Sequence, residues 1–138
     1  MDLRKITDDF TVSPQIEASD IPAIVAAGFR SILCNRPDGE EVTQCCFDDV
    51  SEAAANAGLE VRSVPITSGV VTPDDLKAFN AALDEMPRPV LAYCRSGTRC
   101  TMLWTIAQYG QVEPEEILTL TGQAGYDMSG ILRQLSQS

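Results

Sequence analysis

Apolar positions in this chain switch repeatedly between short dense runs and a spacing of three and four, and that alternation predicts its elements. Residues 1–9 are a polar lead-in. Phe10 to Ser13 then reads as a brief strand stopped by Pro14. Ser19 suits the N-cap of a helix that carries Ile21, Ile24 and Val25 on one face and stops at Gly28. Ser31 to Cys34 is a strand, and Asn35 to Glu41 a polar, turn-rich loop. A helix over about 47–57 ends at Gly58, and a strand follows from Leu59 to Ile66. Thr72 at N-cap, Pro73 at N1 and an acid at N3 open another helix, with Leu76, Phe79, Ala82 and Leu83 as its buried stripe. Pro87 and Pro89 bracket the turn into the dense run Val90 to Tyr93. A helical pattern resumes at Thr101 and ends at Gly110; two more helices span 114–123 and 129–135.

The order is strand–helix repeated four times, which predicts an α/β domain over residues 1–138. Its expected form is three-layered, a small and mostly parallel sheet flanked by helices, with right-handed crossovers. In such sheets ligands bind beyond the carboxyl ends of the strands. Cys94 falls at one such end and Cys34 to Arg36 at another.

Composition narrows the chemistry. Twenty acids against ten bases give a net charge of −10, which argues against nucleic acid or an anionic membrane as a partner. The longest apolar run is far short of a membrane span. The first residues alternate charge and apolar character, unlike a signal peptide. Five cysteines without a CxxC pair or zinc spacing fit free thiols in a reducing cytoplasm, and no cofactor is expected. The chain has no histidine, so Ser–His and Cys–His catalysis are excluded and a nucleophile must be activated by electrostatics.

The stretch from Val90 to Cys100 supplies that setting. An apolar strand ends at Cys94, and Arg95-Ser96-Gly97-Thr98-Arg99-Cys100 leads into a helix. Unpaired N–H groups at a helix start and nearby cations lower a thiol's pKa, and the same amides cradle an oxyanion. Cys94 is therefore the candidate nucleophile and Arg99 the two-pronged oxyanion ligand. Gly97 permits close backbone approach or positive φ, Ser96 and Thr98 offer amides and hydroxyls, and Arg95 either recruits an anion at the cleft mouth or is a solvated surface residue. Arg36 is either a second cation from the neighbouring strand end or an ion-pair partner of Asp38 or Glu40. Asp38 is either a general acid or part of a Pro-Asp-Gly turn. Cys100 is either a weak donor to the thiolate or a resolving thiol. Cys34 and Trp104 read as core.

The loop Tyr93 to Arg99 resembles a rhodanese active-site loop, with five positions from cysteine to arginine where phosphatase loops usually have six. The segments Arg4–Ile6, Val12–Gln15, Cys34–Glu40, Ala92–Arg99 and Ala124–Asp127 resemble the phosphatase-like domain of bacterial beta-lactamase hydrolase-like proteins. That resemblance implies a fold similar to dual-specificity phosphatases, with some members described as sulfurtransferases in sulfide oxidation. Phosphatases of this fold carry an Asp about thirty residues before the cysteine; here that region, Val64 to Gly69, has no carboxylate. The expectation is therefore a sulfurtransferase that forms a Cys94 persulfide from thiosulfate or a small persulfide and passes it to a thiol acceptor. A cysteine-dependent phosphatase acting on a phosphoester is the alternative, and a non-enzymatic thiol sensor a third. A fused or neighbouring dioxygenase and the oligomeric state are left open by the sequence.

Overall fold

The computed structural model describes residues 1–67 and 70–137. Five short strands, β1 (Arg4–Thr7), β2 (Phe10–Ser13), β3 (Ser31–Cys34), β4 (Glu60–Ser63) and β5 (Val90–Tyr93), form one sheet in the order β1-β2-β5-β3-β4. β1 pairs antiparallel with β2, and all other pairings are parallel. The helices are α1 (Ile21–Ala26), preceded by a single 3-10 turn, α2 (Phe47–Asn56), α3 (Pro73–Glu85), α4 (Thr98–Gln108), α5 (Pro114–Gln123) and α6 (Ser129–Gln137).

Burial on both faces explains why β2, β3 and β5 lack an alternating pattern: all four residues of each are buried. Within β5, Val90 and Ala92 face a core with Phe10, Leu33, Phe79, Leu103, Trp104 and Ile117. Leu91 and Tyr93 face the other, with Ile24, Ile32 and Val50. One layer thus holds α1 and α2 and the opposite one the remaining helices, as the three-layer expectation required. Trp104 is core, stacked on Phe10 at 6.3 Å between ring centroids.

Three boundaries depart from the sequence reading. The strand expected over Leu59 to Ile66 is confined to Glu60–Ser63, where it pairs with the four residues of β3. Arg4–Thr7 is a strand rather than a polar lead-in, because its backbone completes the sheet edge against β2 and only Ile6 is buried. The loop helix starts at Thr98 rather than Thr101: Gly97, with φ of +89°, makes the left-handed turn that lets α4 begin three residues earlier. Arg99 and Cys100 therefore belong to the first turn of α4.

Register fixes the site. Ser13 and Cys34 both pair with Tyr93, so three strand ends lie level. Cys94 donates its N–H to Ser13 O and Asn35 donates to Tyr93 O, which places Gln15, Arg36 and Cys94 at one edge of the sheet.

Candidate active site

Cys94 is the first residue after the central strand, and none of its surface is exposed. Gly97 donates its backbone N–H to the sulfur at 3.1 Å. The thiol is lowered from its ordinary value to about 5, first by a hydrogen bond from the Cys100 thiol, against the opposing effect of burial. Backbone N–H groups of Cys100, Ser96 and Gly97 add to that lowering. Cys100 is itself pushed well up by burial and by the adjacent sulfur, so it stays protonated and keeps donating. Of the two alternatives for Cys100, donation to the thiolate is the one this buried setting favours.

The arginines are arranged differently from a simple cationic ring. Arg99 donates from Nη1 to Glu40 Oε2 at 2.8 Å, from Nη2 to Glu40 Oε1 at 2.7 Å, and from Nη1 again to Ile66 O at 2.9 Å. Those bonds use both hydrogens of Nη1 and one of Nη2. The second Nη2 hydrogen and Nε–H point along one edge of the guanidinium, and among the described residues no partner takes them. A planar fork of that kind matches two oxygens of a tetrahedral anion. Glu40 thereby fixes Arg99 by its far end and leaves its side edge open. The clamp holds the Glu40 carboxyl down to about 2, chiefly through the bond from Arg99.

Arg36 is an ion-pair partner rather than a second open cation. It donates to Glu40 Oε1 at 2.9 Å and to Gln15 Oε1 at 3.0 Å, and its side chain is 3% exposed. Its acid is Glu40, not Asp38. Asp38 accepts the N–H of Phe47 at 2.8 Å at the start of α2, so its carboxylate ties the 35–46 loop to that helix rather than standing as an acid over the sulfur. Arg95 is exposed and forms an ion pair with Glu41 at 2.8 Å. Ser96 and Thr98 are exposed, and their hydroxyls bond each other at 2.9 Å. Cys34 is buried and donates to Arg36 O. Part of the acid-free stretch, Ser68 and Gly69, lies outside the described residues; Asp75, farther on, closes the capping box of α3.

Several contributors were not assigned from sequence. Gln15, Arg4 and Tyr126 all lie in the quoted segments, but nothing in their spacing connects them, and the sequence offers Glu40 as a partner of Arg36 but not of Arg99. Tyr126 donates its hydroxyl to Ser96 O at 2.9 Å, and Arg4 sits 5.3 Å over its ring while bonding Ala124 O. A Cβ at Gly97 would collide with the Tyr126 hydroxyl, at a φ that disfavours any side chain. Gly97→Ala is therefore expected to lower activity at least about tenfold and to destabilise the fold by about 1–3 kcal/mol. Steady-state rates and a thermal melt check both.

Among the described residues no group of side chains is placed to hold a metal ion, and no helix is long and apolar enough to cross a membrane. A cavity of about 520 Å³ lined by Phe10, Val90 and Trp104 lies at the amino ends of the strands, away from Cys94.

Residues 2–111 match the family model for the phosphatase-like domain of beta-lactamase hydrolase-like proteins. Beta-lactamase hydrolase-like proteins from Agrobacterium fabrum and Xylella fastidiosa are 30% and 32% identical to the chain over 96% and 93% of its length. The chain spans only 31% and 30% of those relatives. A solved structure from Neisseria meningitidis, described as a candidate phosphatase, is 31% identical with a TM-score of 0.88, covering 99% of this chain and 98% of that one. A second, from Shewanella putrefaciens, shares the fold at a TM-score of 0.69 and 17% identity, over 91% and 94% of the two chains. The resemblance carried by the five segments led to these relatives, whereas none of them supports the rhodanese-like reading of the loop or the sulfur transfer expected from it; the architecture is that of the cysteine phosphatases. This chain belongs to the family of beta-lactamase hydrolase-like proteins, as their phosphatase-like domain.

Proposed function

We propose that the domain is a cysteine-dependent phosphatase that cleaves phosphate monoesters through a Cys94 phosphothioester. The observation that supports this best is a sulfur lowered to about 5 within a ring of N–H donors, beside the open side edge of Arg99. Cys94 Sγ attacks phosphorus, the P–O bond to the leaving group breaks, and that oxygen departs with the electron pair. Loop N–H groups and the Arg99 fork take the non-bridging oxygens as charge builds on them. Water then attacks phosphorus, the S–P bond breaks, and thiolate and inorganic phosphate are restored. With Asp38 engaged at α2, the reaction favours leaving groups that depart without a proton, such as phenolates.

Sulfur transfer, the expectation from the loop, is the second reading. Its support is the five-position spacing from Cys94 to Arg99 together with the displaced acid. There the thiolate attacks the outer sulfur of thiosulfate, sulfite leaves with the electron pair, and a thiol acceptor removes the sulfur from Cys94. The relatives weigh toward the phosphatase.

Both readings are tested by one pair of assays, an aryl phosphate against thiosulfate with cyanide. Turnover of the aryl phosphate is expected, lost as pH falls through about 5 because the thiol is then protonated. Turnover of thiosulfate alone, with sulfane sulfur retained on Cys94 by mass spectrometry, overturns the phosphatase in favour of the second reading.

A further inference from the structure

The guanidinium of Arg36 has a defect. Nε and Nη1 are bonded to Glu40 and Gln15, which hold the group in place. Nη2 is buried and among the described residues has no hydrogen-bond partner. Its nearest anion is Glu41 Oε1, at 3.6 Å, beyond hydrogen-bond distance. The same oxygen lies 2.8 Å from Nη2 of Arg95, the residue that follows Cys94. One carboxylate oxygen thus stands between two guanidiniums beside the cradle, well placed for one and short of the other. Leaving a buried guanidinium N–H unpaired is costly, and a partner seated closer would remove the cost. Glu41 is 41% exposed and sits on an irregular loop, so it can turn out into water. Arg36 cannot follow it.

We propose that the Glu41 carboxylate marks a second anion subsite between Arg36 and Arg95, which takes a carboxylate carried by the substrate near its reacting group. The preferred substrate is accordingly a small molecule with two anionic groups, one for the cradle and one that replaces Glu41. This rests on the phosphatase reading only in that the first group is taken as a phosphate.

The test uses non-hydrolysable ligands with the Cys94→Ser protein, followed by calorimetry. Benzylphosphonate is compared with its 3-carboxy and 4-carboxy derivatives. At least one carboxylated ligand is expected to bind five- to tenfold more tightly than benzylphosphonate, about the scale of one charge-assisted contact at a half-exposed site. Adding Glu41→Gln widens that gap, because the internal competitor is gone. Adding Arg95→Gln instead closes it to less than about twofold. Equal or weaker binding of both carboxylated ligands by the protein with Glu41 intact overturns the subsite and makes Glu41 a screen against anions. A gap unmoved by either second substitution overturns it too. If benzylphosphonate itself does not bind, the phosphatase reading falls and the proposal with it.

Discussion

A Cys94→Ser protein is expected to fold normally and to lose turnover by at least about 10⁴-fold. The oxygen of serine is not ionised near neutral pH, the chain has no histidine to take its proton, and the Glu40 carboxylate is engaged by Arg99 and Arg36. Everything that makes residue 94 reactive acts on the ionised form of a sulfur: the Cys100 donor, the Gly97 N–H and the start of α4. Those same donors still find an acceptor in a hydroxyl, so the melting temperature should move by only a few degrees. Circular dichroism establishes the fold and a stopped assay the rate. Activity above about one per cent of wild type would falsify nucleophilic catalysis by Cys94 in either proposed reaction.

Arg99→Lys is expected to be the next most damaging change, despite keeping the charge. Lysine presents one ammonium where arginine divides its five N–H bonds among Glu40, the Ile66 carbonyl and the open edge. One ammonium cannot serve the carboxylate clamp and two substrate oxygens together. A loss of about 10²–10³-fold in kcat/KM follows, the size found when a single oxyanion donor is removed. Glu40 also loses its bidentate partner, which costs about 1–3 kcal/mol of stability, read from urea unfolding. A lysine variant with wild-type kcat/KM refutes two-pronged recognition.

The fold was legible because its signals are local. Dense runs such as Val90 to Tyr93 require burial on both faces, and Thr72-Pro73 with Asp75 states a helix start in one turn of chain. The edge strand Arg4–Thr7 was not legible, since one buried residue in four leaves no pattern. At the site, Cys94, Gly97 and Arg99 were found because they share a loop. The bonds of Glu40 to Arg99 and of Tyr126 to Ser96 were not, because they span 59 and 30 residues. Asp38 shows a different limit: of the two roles the sequence left open, neither included the bond it accepts from the Phe47 N–H at the start of α2. Short-range arithmetic also hid what the arginines do, since each of Arg36, Arg95 and Arg99 is paired with Glu40 or Glu41. Their positive charge is largely balanced before any ligand arrives.

The Glu40 clamp has one further consequence. Its carboxyl ionises near 2 and the Cys94 thiol near 5, so the two titrations do not overlap. Through the range in which the sulfur gains its proton, Arg99 keeps the same counter-ion and the same orientation. The edge of Arg99 that faces the ligand is therefore held in one orientation while the nucleophile changes its protonation state.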